Sequence, residues 1–214
     1  MQENTTVALG GLVDAIGGLA TAVLAICGLV NINPPVMVAA ATIVFGVALL
    51  LQASACVAAF TQIATASGSS FAMEPGGNVA AVLLIGAAGI VLGILALLGI
   101  GAGSMLPAAV IAYGVAMILG SSLLPQLHAM RHTAQARVLG ARGFAGSDIL
   151  VSQIATGSAV GQSLAGLAAI VLGILVLAGL NHPALILVTL LELGATLVVT
   201  GGALTAMILG AIQR

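Results

Sequence analysis

Residues 89–100 read GIVLGILALLGI, and residues 169–180 read AIVLGILVLAGL. Eight of these twelve positions are identical at a constant offset of 80. The correspondence continues beyond each stretch. Pro107 is followed by Tyr113-Gly114 and Pro183 by Leu193-Gly194, with the glycines again 80 residues apart. A weaker copy stands at the front, where Cys27-Gly28-Leu29 precedes Pro34-Pro35 and Phe45-Gly46 follows. Each unit is an apolar Gly-rich segment, a short turn containing Pro, and a second apolar segment with a central Gly. Asn, Gly and Pro in NINPP, GAGSMLP and NHP stop one helix and start the next for separate backbone reasons. Pro at the first turn of the returning helix sacrifices an N–H that has no helical partner there.

The solvent for these hairpins follows from composition. Of 214 residues, 61% are hydrophobic and only 4% are charged. A water-soluble domain carries about 25% charged residues, so this chain cannot cover a water-facing surface. Mean hydropathy is +1.31. A crossing needs about 20 mostly apolar residues. Six such stretches are expected, roughly 8–30, 36–60, 79–100, 107–127, 160–180 and 184–207, with helical extensions into water at 60–66, 128–140 and 150–160. The fold class is therefore all-α: a polytopic membrane protein of six transmembrane helices in three repeated helical hairpins. Residues 1–214 form one transmembrane domain, with hairpin repeats near 8–66, 77–140 and 150–212. No length remains for a soluble catalytic domain. An enzyme is not expected, and neither a cofactor nor a metal.

Net charge is -1, and there is no Lys. Four arginines are too few for a nucleic-acid footprint. The start, MQENTTVALGG, lacks the basic segment of a signal peptide, so its apolar stretch is kept as a span. Arg131, Arg137 and Arg142 lie between spans four and five, and Arg214 ends the chain. The positive-inside rule then predicts that both termini are cytoplasmic and the Pro turns outside. Trp is absent and Tyr113 is the single Tyr, so an interfacial aromatic belt is missing. This predicts that other protein covers much of the perimeter, as further copies in a homo-oligomer or as other membrane subunits, with lipids around the rest.

Small residues four apart lie on one helix face and allow close crossing in lipid. Gly89 and Gly93 form one such pair, Gly157 and Gly161 another, and Ala169 and Gly173 repeat the spacing. These are expected to serve helix packing.

Few polar groups could carry chemistry. Glu192 lies about eight residues past the Pro183 turn, roughly 12 Å into the membrane at helical rise. An intramembrane carboxylate is costly and is a functional hypothesis by default. With no Lys or Arg at its depth, Glu192 is expected to hold its proton, and Thr189 and Thr196 on its face to hydrogen-bond it. The three form a candidate proton or cation site. The competing reading is a neutral acid that pins helix packing. The corresponding residues of the other repeats are Val44 and Ala112. Asp14 is expected at the cytoplasmic interface, near a helix N-terminus whose dipole favours it. His128 and His132 share a face, but two histidines with Arg131 between them fall short of a zinc site. His182 stands in an outward turn. Cys27 and Cys56 fall about 30 Å apart along the first hairpin by helical rise, too far for a disulfide.

The unit IVLGILALLGI…P…YGVAMILGSS resembles the HdeD-type family of small bacterial membrane proteins, well over 82–122 and 163–203 and loosely over 10–55. The resemblance implies six spans in paired-helix repeats and a non-enzymatic role in acid or envelope stress. It transfers no site residue. A mid-membrane acid on the second helix of a Gly-rich hairpin is also similar to the c-subunits of rotary ATPases, which would make the chain a proton- or cation-translocating proteolipid. A small-solute transporter would need more polar lining than these spans hold.

Overall fold

The computed structural model describes residues 2–66, 77–121, 147–180 and 182–212, with side chains described over 14–58, 78–121, 159–180 and 182–202. The described residues form six helices: α1 (Gln2–Leu29), α2 (Pro34–Ala66), α3 (Gly77–Leu97), α4 (Ala102–Ser121), α5 (Ser147–Leu177) and α6 (Pro183–Ile212). Five of them, α2 to α6, are long and apolar enough to cross a membrane. The described side chains of α1 cover only Asp14–Leu29, yet the helix has 28 residues, about 42 Å at helical rise. The chain is an all-α, multi-pass membrane protein. Segments 60–66 and 150–160 are helical, as expected. Segment 128–140 lies outside the described residues.

The helices close into a ring. Each packs on its neighbours in chain order, and α6 packs on α1 to complete the circle. The even helices α2, α4 and α6 also touch one another, so they form the inner triangle and α1, α3 and α5 fill its outer grooves. About half of each even span is buried, against about a third of α3 and α5. The outward faces of the odd helices are apolar. Ile16, Leu19, Val23 and Ile26 on α1 are exposed, as are Leu164, Leu167, Val171 and Ile174 on α5. Such a surface has no place in water and fits hydrocarbon.

The repeat thus becomes a pseudo-threefold axis through the inner triangle. Buried positions recur at spacings of 68 and 80 residues. Val38, Leu106 and Ile186 correspond, as do Phe45, Tyr113 and Leu193, and Leu49, Met117 and Leu197. All nine are buried. The most extensive contacts are not within hairpins but between them, α1 on α6, α2 on α3 and α4 on α5. The hairpin is a unit of sequence, whereas the packing unit is the pair formed with the next repeat.

The three turns are built alike. Asn31, Gly99 and Gly179 occupy equivalent places with φ of 71°, 79° and 110°. In each, the left-handed residue donates its N–H three residues back, and the following N–H reaches five back, as in Gly99 N–H to Ala96 C=O (3.0 Å) and Ile100 N–H to Leu95 C=O (3.0 Å). This is the Schellman cap, which satisfies carbonyls that the helix end leaves free. A Cβ in the left-handed region costs about 1–2 kcal/mol. Gly99→Ala is therefore expected to lower unfolding stability by about that amount, read by denaturant titration in mild detergent.

One expected boundary is corrected. The fourth span was placed at 107–127 with Pro107 in its first turn, but α4 starts at Ala102, leaving Pro107 inside the helix. The position equivalent to Pro35 and Pro183 is Gly103. Pro107 removes the donor to the Gly103 carbonyl. Gly103 is exposed at the turn end, where water can supply the missing bond, so the extra turn forms.

Candidate functional site

At mid-depth the inner triangle is filled by large side chains. Phe45 and Tyr113 stack with ring centroids 4.8 Å apart at a tilt of 57°. The Tyr113 hydroxyl donates to the Thr42 carbonyl of α2 at 2.6 Å, so the phenol ties α4 to α2. Thr42 also donates its own hydroxyl to the Val38 carbonyl at 2.8 Å. A Cβ at Gly89 would collide with the Tyr113 ring. Gly89 therefore seats an aromatic ring of the neighbouring helix, a more specific role than generic helix packing.

The other packing glycines divide. A Cβ at Gly93 would stand 2.6 Å from the Ile43 side chain and 3.2 Å from the Ala39 carbonyl, and one at Gly173 would stand 2.5 Å from Ile111 and 3.2 Å from the Pro107 carbonyl. These two equivalent glycines let α3 and α5 lie close on the preceding even helix. Gly161 is corrected: it is exposed and a Cβ there would meet nothing within 4 Å, because its face of α5 points away from the bundle. Gly157 lies in α5, outside the described side chains. The closest approaches use glycines that sequence reading passed over on one side. Gly18 meets Gly194, Gly86 meets Gly46, and Gly166 meets Gly114. The missed members, Gly18, Gly86 and Gly166, are spaced 68 and 80 residues apart. Extending the repeat alignment one turn further would have found them.

Glu192 is half-buried on α6. Among the described residues there is no Lys or Arg, and His182 stands in the turn just before α6, ten residues from Glu192. The expected partnership with Thr189 and Thr196 is corrected. Thr189 donates its hydroxyl to the Leu185 carbonyl (2.8 Å) and Thr196 donates to the Glu192 backbone carbonyl (2.8 Å). A threonine inside a helix finds the carbonyl four residues back nearer than a neighbouring side chain, so both donor protons are already used. Replacing Glu192 by Gln keeps size and hydrogen-bonding capacity, so Glu192→Gln is expected to change stability by no more than about 0.5 kcal/mol, measured by the same denaturant titration.

Asp14 is also corrected. It lies about three turns inside α1, not at its start, so the helix dipole does not hold it. It is buried, and its Oδ1 has no hydrogen-bond partner among the described residues. Gln162 of α5, passed over in sequence, is buried with both polar atoms unpartnered. Its signal was a lone amide within an apolar run. Cys27 and Cys56 are free thiols. No group of three or more potential metal ligands occurs among the described residues, and His128 and His132 lie outside them.

At the turn end the axis opens into a shallow cup of about 140 Å³. Its wall is made by equivalent triplets, Pro35, Gly103 and Pro183 above Val38, Leu106 and Ile186, with His182 at the rim. Comparison with protein-family models, with characterised proteins and with solved structures finds no match to this chain.

Proposed function

We propose that this protein is a non-enzymatic, non-conducting helical bundle of a bacterial inner membrane, with both termini in the cytoplasm. It would serve envelope or acid-stress tolerance, as the HdeD-type resemblance implies, alone as a homo-oligomer or as an embedded subunit of a larger membrane assembly. The observation that carries this reading is the sealed axis. Phe45, Tyr113 and Leu193 fill it at one level, and Leu49, Met117 and Leu197 fill the level below. A solute or ion moving along the axis would have to displace packed side chains, and the buried hydroxyls of Thr42, Tyr113 and Thr189 on these helices already donate to backbone carbonyls, which leaves little to replace its hydration. The close Gly crossings hold the walls against that displacement.

A second reading makes the chain a proton- or cation-translocating proteolipid. Glu192 favours it, because this acid breaks the pseudo-threefold pattern and sits on a half-buried flank, away from the sealed axis, where a partner subunit could reach it. Proton flux into liposomes separates the two. The first reading expects the wild type and Glu192→Gln to match protein-free vesicles. Flux in the wild type that Glu192→Gln abolishes would replace it with the second. Survival of a deletion strain after acid shock tests the physiological half, and unchanged survival would remove it. Detergent-free extraction and mass measurement identify the assembly.

A further inference from the structure

Asp14 in α1, Val82 in α3 and Gln162 in α5 occupy one equivalent position, spaced by the same 68 and 80 residues as the Gly crossings. All three are buried, at 6%, 4% and 1% exposure. Two are polar, and both are incompletely bonded. Asp14 Oδ1, Gln162 Oε1 and Gln162 Nε2 have no partner among the described residues. Leaving such an atom without a partner in the interior forfeits its bonds to water with nothing in return. Folded proteins leave few such groups, and an ordered water commonly supplies the bond.

The surroundings differ in the same sense. Beside Gln162, Ser163 donates to Ser121 across the α4–α5 seam at 2.9 Å. Hydroxyl oxygens retain acceptor capacity after donating, so this seam offers a water several polar partners. The corresponding residues of the α2–α3 seam, beside Val82, are Leu83 and Ala53. On the Asp14 side, Gly17 of α1 packs on Ala48 of α2, and half-buried Gln52 stands one turn beyond Ala48, toward the end that carries the chain termini. Asp14 is fifteen residues from the turn-end limit of α1 at Leu29, about 22 Å. In a hydrocarbon core about 30 Å thick, this layer lies toward the end of the bundle that carries the chain termini.

We propose that this end of the bundle holds two internal hydration sites, one at Asp14 and one at Gln162, while the equivalent seam at Val82 is dry. Each site binds at least one water in exchange with the adjacent aqueous phase. Asp14, rather than mid-membrane Glu192, is then the intramembrane acid in contact with bulk water.

X-ray radiolytic footprinting of the wild type in lipid nanodiscs tests this directly. Hydroxyl radicals made from bound water label neighbouring side chains despite burial. Residues within one turn of Asp14 and of Gln162 are expected to label several-fold faster than those around Val82, because an ordered water lies beside the first two and none beside the third. Gln162→Val should bring its segment down to the Val82 rate and leave the Asp14 segment unchanged. Val82→Gln should raise labelling in the third seam, which keeps the test open if Gln162→Val does not fold. Equal rates in all three wild-type segments would overturn the proposal, as would Gln162-segment labelling that Gln162→Val leaves unchanged.

Discussion

Gly114→Ala should be among the most damaging single-methyl changes in this protein. The new Cβ would stand 2.5 Å from the Gly166 carbonyl oxygen, 2.8 Å from the Ile170 side chain and 3.1 Å from the Ile170 nitrogen. The first and last of these are backbone atoms of a helix, which cannot rotate away as a side-chain tip can. The approach is mutual, since a Cβ at Gly166 would stand 2.5 Å from the Gly114 carbonyl oxygen. Relief requires α4 and α5 to separate, and this pair is among the most extensive contacts in the ring. Overpacking of this kind costs about 1–3 kcal/mol, and the upper part of that range is expected because both sides are backbone. Gly161→Ala is the control. Its Cβ would enter open space, so a change within about 0.5 kcal/mol is expected. Denaturant titration of both variants in the same detergent makes the comparison. Equal stability of the two would show that the α4–α5 crossing is looser than described.

Tyr113→Ala is expected to cost more, about 3–5 kcal/mol, the usual range for emptying a buried aromatic site. The ring is fully buried, stacks on Phe45 and fills the hollow left by Gly89. Neither Phe45 nor the Gly89 backbone can move into the space without breaking its own helix contacts. Tyr113→Phe separates the parts. It keeps the ring and removes only the bond to the Thr42 carbonyl, so about 0.5–1.5 kcal/mol should be lost. Thr42 C=O lies in a helix and has its own ladder bond, so it is not left unsatisfied. A Phe variant as damaged as the Ala variant would contradict this division. Because the ring seals the axis, the Ala variant also bears on function. If the bundle conducts nothing because of this plug, proton flux in liposomes should rise in Tyr113→Ala and stay at background in Tyr113→Phe.

The hairpins, their turns and the apolar character of the spans were readable without coordinates. Each is a local property. Helix termination at Asn31, Gly99 and Gly179 depends on residues within one turn, and burial in lipid depends on average composition over a span. The repeat offset even located Gly46, Gly114 and Gly194. What could not be read was which partner each of these glycines would meet. The pairings with Gly86, Gly166 and Gly18 arise only when three hairpins close into a ring, because a GxxxG spacing defines a face and not what lies against it. Gly161 shows the cost: it has the same spacing as Gly93 but faces outward.

Polar residues divide in the same way. Depth along a helix is a matter of counting, so the position of Glu192 nine residues beyond the start of α6 at Pro183 was readable. Burial around a helix depends on where its neighbours stand. Tertiary packing decided that Glu192 is only half-buried, that Thr189 and Thr196 serve their own backbone, and that Asp14 and Gln162 are the enclosed groups. Composition and periodicity therefore determined the solvent, the helices and the repeat. The closed threefold arrangement alone decided which side chains seal the axis and which polar atoms are left wanting a partner, because both depend on contacts between segments far apart in the chain.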